Sequence, residues 1–159
     1  MANLNVKVTG LKELKHAMDS LDRKVRKNIS VKAMRKGGAI IRDKARANAP
    51  VLEHSVPHRN RGTLRKAISA STKIAKNGSV NTRIFVRKLK ISKITAFKEH
   101  GKGSSGNPND PYYWRFVEFG TSKMSARPFL RPAFEQSKEQ AAQTIITTLR
   151  DTIISEAGK

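Results

Sequence analysis

From residue 11 to residue 49, apolar positions recur at intervals of three and four: Leu11, Leu14, Met18, Leu21 and Val25, then Ile29, Ala33, Gly37, Ile40 or Ile41, and Ala45. That spacing lines one face of a helix. The pattern stops at Asn48-Ala49-Pro50, because proline disfavours helical backbone in the residue before it. A break near Asn28 to Ser30 is expected, with Ser30 capping the second of two helices. Gly37 and Gly38 lie inside that second helix, where each costs about 1 kcal/mol relative to alanine. Such a cost is usually offset by close approach of another backbone, so this face is expected to pack tightly on a sheet or neighbour. Upstream, Leu4-Asn5-Val6-Lys7-Val8 alternates apolar and polar residues and predicts a short half-buried strand.

The period then changes. Residues 51 to 62, with His54 and His58, read as an exposed loop, and Thr63 to Ile68 as one helical turn with Leu64 and Ile68 inward. A period near two follows from Ile68 through Ile74, up to Asn77-Gly78, a strong hairpin signal. Val80, Ile84, Val86 and Leu89 give the return strand, with Phe85 on its other face. Residues 92 to 111 are rich in Gly, Ser, Asn and Lys and predict a long flexible loop or arm. Order returns at Tyr112 to Phe119, as a strand or a short helix, and the aromatic density favours strand. Pro132 can open the last helix, where a missing backbone donor costs nothing. Its stripe is Ala133, Phe134, Ala141, Ile145, Leu149 and Ile153. The expected fold is α+β: one domain, 1–159, with long N-terminal helices and a C-terminal helix packed on a small antiparallel sheet.

Composition narrows the partners more than the fold. At 159 residues and 37% hydrophobic, the chain suits one domain with a modest core. It has no cysteine, which excludes disulfides and thiolate metal sites. No leader pattern opens the chain, and no apolar run reaches the ~20 residues of a membrane helix, so a soluble protein without membrane contact is expected. The formal charge is +21. Between Glu53 and Glu99 no acidic residue occurs, whereas Arg59, Arg61, Arg65, Lys66, Arg83, Arg87, Lys88 and Lys90 all do. A solvated basic face is one reading; contact with nucleic acid or with an acidic protein surface is the other.

Catalytic signals are weak. Glu53-His54 with His58 lacks the spacing of a metal site, and Asp110 with Glu118 makes a poor nuclease pair. Glu118, between Val117 and Phe119, reads instead as an ion-pair partner for an arginine. Neither a cofactor nor an enzymatic activity is expected. Tyr112, Tyr113 and Trp114 with Arg115 could stack on bases, but a contiguous run suits core or interface packing better.

The most particular segment is Tyr112 to Phe134. Five aromatic side chains fall within Tyr112–Phe119. They lead into Gly120-Thr121, where glycine permits a reversal by positive φ. Arg127-Pro128 and Arg131-Pro132 then stiffen the chain around Phe129 and Leu130. This run, with its Val117-Glu118-Phe119-Gly120-Thr121 and Arg127-Pro128-Phe129-Leu130-Arg131-Pro132-Ala133 blocks, resembles the tail-completion or head–tail joining proteins of long-tailed bacteriophages, the family named after the tenth gene product of a lambdoid phage. Gly10-Leu11, Ala45 to Pro50 and Gly62 to Ile68 agree with it.

The resemblance implies a non-catalytic neck protein of the virion, made in the host cytoplasm and assembled as a ring, with six copies the natural number. Its partners would be other copies and the neighbouring head-closure and tail-terminator or tail-tube proteins. Trp114, Glu118, Phe119, Gly120, Thr121, Arg127, Pro128, Phe129 and Pro132 become candidate interface positions, with Pro128 and Phe129 on a rigid hook reaching the next copy. The basic residues become candidate contacts to packaged DNA or to acidic neighbours. The alternative function is a non-catalytic basic nucleic-acid-binding module.

Overall fold

A computed structural model describes residues 10–56, 59–99 and 107–157. The strand expected at residues 4–8 lies outside them, as does His58. Among the described residues the order is α1 (Leu11–Asp19), α2 (Arg23–Asn48), α3 (Thr63–Ala67), β1 (Ile68–Ile74), β2 (Val80–Val86), α4 (Ile91–Glu99), α5 (Trp114–Phe119) and α6 (Leu130–Ala157). The two strands form one antiparallel hairpin, so the fold is α+β as expected.

The first break falls earlier than the sequence predicts. Helix α1 ends at Asp19, and the carboxylate of Asp22 accepts from the Lys24 amide at 2.7 Å, satisfying one of the free donors that open α2. Ser30 caps nothing: its hydroxyl donates back to the Arg26 carbonyl at 2.9 Å, within an uninterrupted helix. Helix α2 runs on to Asn48 and stops before Pro50, as expected.

Two compact units divide the chain: residues 1–40, 70–83 and 137–159, and residues 41–69 and 84–136. Helices α2 and α6 and both strands contribute to each. In the first unit Leu14, Ala17, Ile29 and Ile153 form the buried centre, with Met18, Leu21, Val25, Ile146 and Leu149 packed against it. The glycine pair of α2 has the expected role here. A Cβ at Gly37 would fall on the Ile145 side chain and 3.0 Å from the Ala141 carbonyl oxygen, and one at Gly38 would strike the Thr82 methyl. Thr82 also joins β2 to β1 through Thr72, at 2.8 Å between hydroxyls, and donates to the Met34 carbonyl at 3.2 Å. The hairpin reverses through a three-residue loop, closed by Ala75 and Ser79 at 2.8 Å, with Gly78 at φ +86°.

The second unit has its own core: Ala45 and Ala49 of α2, Leu64 of α3, Ile68, Val86, Tyr113, Phe129, and Ala133 of α6. Leu64 and Ile68 point inward as the sequence predicts. Arg46 donates through Nε and Nη2 to the Ile68 carbonyl, fixing the end of α2 to the start of β1. Two expectations change in this unit. Residues 91–99, placed largely in a loop from composition, form helix α4. The aromatic run forms the short helix α5, not a strand. Both outcomes have one cause: among the described residues neither segment has a strand partner, and a helix satisfies its backbone groups internally.

Candidate functional site

The segment singled out by sequence is held by a series of main-chain and side-chain hydrogen bonds. Helix α5 ends at Gly120, whose amide donates to the Phe116 carbonyl at 2.9 Å. Gly120 has φ +75°, and a Cβ there would lie 2.9 Å from both the Ala126 amide nitrogen and the Met124 carbonyl oxygen. Only glycine fits such a left-handed, crowded reversal. Thr121 and Met124 then pair across the turn, at 2.8 and 3.2 Å, and the Arg127 amide returns to the Val117 carbonyl at 2.8 Å.

Glu118 holds the arrangement together. Its carboxylate, on a residue only 6% exposed, accepts from three successive amides: Oε2 from Phe129 at 2.8 Å and Leu130 at 3.0 Å, Oε1 from Arg131 at 3.1 Å. These are the free donors that open α6, and the next residue, Pro132, has no N–H. All four amide positions at this helix start are therefore accounted for. A carboxylate beside the positive end of the helix dipole adds favourable electrostatics. This corrects the arginine ion-pair role expected for Glu118, and it removes the carboxylate from any nuclease pair. It also shows why α6 starts at Leu130, two residues before Pro132.

The other candidate interface residues separate by burial. Phe129 is completely buried in the core of its own unit, so its side chain is not offered to a neighbour. Trp114 and Pro132 are half-buried, while Thr121, Arg127 and Pro128 are exposed. Phe119 is 66% exposed, and Phe116, one helical turn earlier, is 49% exposed. Large apolar side chains thus face solvent on α5, and Tyr112, Met124 and Phe134 nearby are exposed as well.

Three cavities open in this unit, one of about 480 Å³ lined by Asp110, Tyr112 and Trp114 together with Arg87 and Lys88, and two that are larger. The first of the larger pair, of about 510 Å³, is lined by Pro50, Val51, Leu52, Leu64, Tyr113, Val117 and Met124, with Arg59, Lys123 and Arg127 among the same walls. Leu64 and Tyr113 belong to the core, so its floor is apolar. The Arg59 guanidinium sits 4.9 Å from the centre of the Tyr113 ring, a cation–π contact. Burial raises the Tyr113 phenol above its ordinary value, while Arg59 pulls it the other way.

The second cavity, of about 620 Å³, is lined by Arg61, Lys66, Arg87, Lys88, Lys90 and Lys93, and no lining residue is acidic. Its walls are braced by backbone hydrogen bonds: Asn60 to the Pro108 carbonyl at 3.0 Å, and Arg87 to the Ala67 carbonyl at 2.9 Å. The Thr63 hydroxyl adds a bond to Pro108 and the Asn60 amide one to Asn109. Ion pairs recorded among the described residues involve Arg26, Arg42 and Arg46, none of them in this cavity. Like charges ~8 Å apart repel by roughly 0.5 kcal/mol in water before screening, so the fold itself gains nothing from this arrangement.

Five residues of the predicted basic set, Arg61, Lys66, Arg87, Lys88 and Lys90, thus converge. Arg59 belongs to the apolar cavity, Arg65 is exposed and lines neither, and Arg83 lies in the other unit. Lys93, Tyr113, Lys123 and Met124 were not among the predicted site residues. Lys93 was legible only as part of the acid-free run; nothing local in the sequence marked the other three as cavity walls.

Among the described residues no three His, Cys, Asp or Glu side chains converge as a metal site, and no helix is long and apolar enough to cross a membrane. The profile of the HK97-gp10-like family, described as the bacteriophage HK97-gp10 tail component, matches residues 12–120, more than half of the chain. No curated protein and no solved structure matches.

Proposed function

The chain belongs to the HK97-gp10-like family of bacteriophage tail components, and from that premise we propose that it is a structural subunit of the neck, completing the tail and joining it to the DNA-filled head as a closed ring. Six copies match the symmetry of a tail. A ring needs one patch on each copy to meet a different patch on the next, with a rotation that closes. Its other neighbours in this reading are the head-closure protein on one side and the tail-terminator or tail-tube protein on the other.

The observation that carries the reading is the exposure of Phe119 on a backbone that cannot move far. Large apolar side chains displayed on a rigid support lose little entropy on docking. Buried aromatic anchors are also the usual source of interface energy. The clamp of Glu118, the Gly120 reversal and the Thr121–Met124 pairing supply that support. The apolar cavity beside Met124 and Arg127 offers a complementary socket of suitable chemistry. Pro128 contributes by stiffening the approach to α6, and Phe129 by holding the support from inside the core.

Phe119→Ala tests the proposal. The variant should melt like the wild type, yet fail to form rings by mass measurement and fail to join purified heads to tails in negative-stain images. A variant that still assembles and joins overturns the role of this surface. Absence of the wild-type protein from the neck of the intact particle overturns the whole reading.

A further inference from the structure

The cationic cavity has a chemistry of its own. Six side chains carrying fixed positive charge share one concavity, and no acidic residue lines it. A concave wall focuses the potential of such a cluster and raises the local concentration of anions. Among the described residues no ion pair is recorded for these six cations, so a bound anion lowers their mutual repulsion. The walls are prearranged by main-chain bonds from Asn60 and Arg87, while the charges ride on mobile stems.

What the cavity lacks identifies the ligand. No aromatic ring lines it, so a base seated in this cavity itself has nothing to stack on; Tyr112 and Trp114 line the adjoining cavity, which shares Arg87 and Lys88. Leu89 is its one large apolar side chain, whereas a protein partner needs a desolvated anchor near the centre of the contact. Phosphodiester groups need neither. They are held by lysine and arginine with water between, and without reading sequence. We propose that this cavity seats consecutive backbone phosphates of duplex DNA, bound independently of base sequence. The phage reading supplies only the identity of the polyanion; the site does not depend on ring formation.

Binding of random-sequence duplex DNA, measured over a range of salt, tests this on the full chain. The wild type should bind with a steep log–log salt slope. Lys88→Ala with Lys90→Ala should reduce the magnitude of that slope by about two, since each lost phosphate contact removes roughly 0.9. Affinity at moderate salt should fall at least tenfold. The control is Lys32→Ala with Lys36→Ala, two exposed lysines of α2 in the other unit, which removes the same charge. An equal loss in the control shows that net charge alone is responsible and overturns the site. No wild-type binding at moderate salt also overturns it, as does displacement of DNA by poly-glutamate at equal charge, which would assign the cavity to acidic proteins. Repeating the titration on Phe119→Ala separates the two readings: DNA binding survives there even when assembly is lost.

Discussion

Two cavities of similar size in one compact unit present opposite solutions. The one beside Tyr113 has a floor of core side chains, Leu64 and Tyr113 among them, with three cations around it. The one beside Arg87 has six cations, with Ala67, Leu89 and Pro111 as its apolar walls. Both are basic, so charge alone would give them one function. The difference lies in what water leaves behind. An apolar floor gains by being covered, at roughly 25 cal/mol per Å² of apolar surface, and suits a protein contact. A cluster of solvated cations gains by exchanging counterions for phosphates, and suits a nucleic acid. For a chain of charge +21, the informative question is therefore where apolar surface accompanies the charge.

Phe129→Ala should break the comparison outright. The side chain is fully buried among Leu64, Ile68 and Val86, and its removal should cost about 3–5 kcal/mol. Chemical denaturation should show that loss, and assembly and DNA binding should fail together. A stable variant that merely stays monomeric would return Phe129 to the interface.

Glu118→Gln comes next. The amide can accept with one oxygen only, so its NH2 group would face at least one main-chain N–H of α6. A loss of about 1–3 kcal/mol is expected, with the apolar cavity perturbed before the cationic one, because Val117 and Arg127 line the former. Unchanged thermal stability would mean that the three hydrogen bonds contribute little net free energy.

Phe119→Ala should move stability by no more than about 0.5 kcal/mol, as for other exposed positions, while removing assembly. The smallest effect concerns Tyr113. Its phenol titrates above the ordinary 10.0, so the folded protein holds this proton more tightly than the unfolded chain. That contribution is complete below pH of about 10 and declines as pH rises beyond it. Tyr113→Phe should remove this share of the alkaline fall in melting temperature. Parallel curves for wild type and variant would show that the phenol plays no part.

Much of the fold was legible because it follows from short-range rules. The stop at Pro50, the inward Leu64 and Ile68, the hairpin at Gly78 and the tight packing of Gly37 and Gly38 each rest on a few neighbouring residues. Misreadings arose where two local options were close in energy. Asp22 and Ser30 are both of residue types that cap helices, and the periodicity did not choose between them. The aromatic density of 112–119 favoured strand, and only the arrangement of its neighbours reveals the helix.

By itself, the sequence determined the helical stripes, the hairpin, the basic excess and a family likeness that the matched profile carries as far as Gly120, all properties of residue order over a few turns. Tertiary structure alone decided that Glu118 caps a helix opening twelve residues away, that Phe129 points inward while Phe119 points out, and that only some of the basic residues scattered along the chain converge in one cavity. The physical reason is range. Periodicity and proline act along the chain, whereas capping, burial and charge convergence depend on which distant segments fill the same space, and no local pattern encodes that.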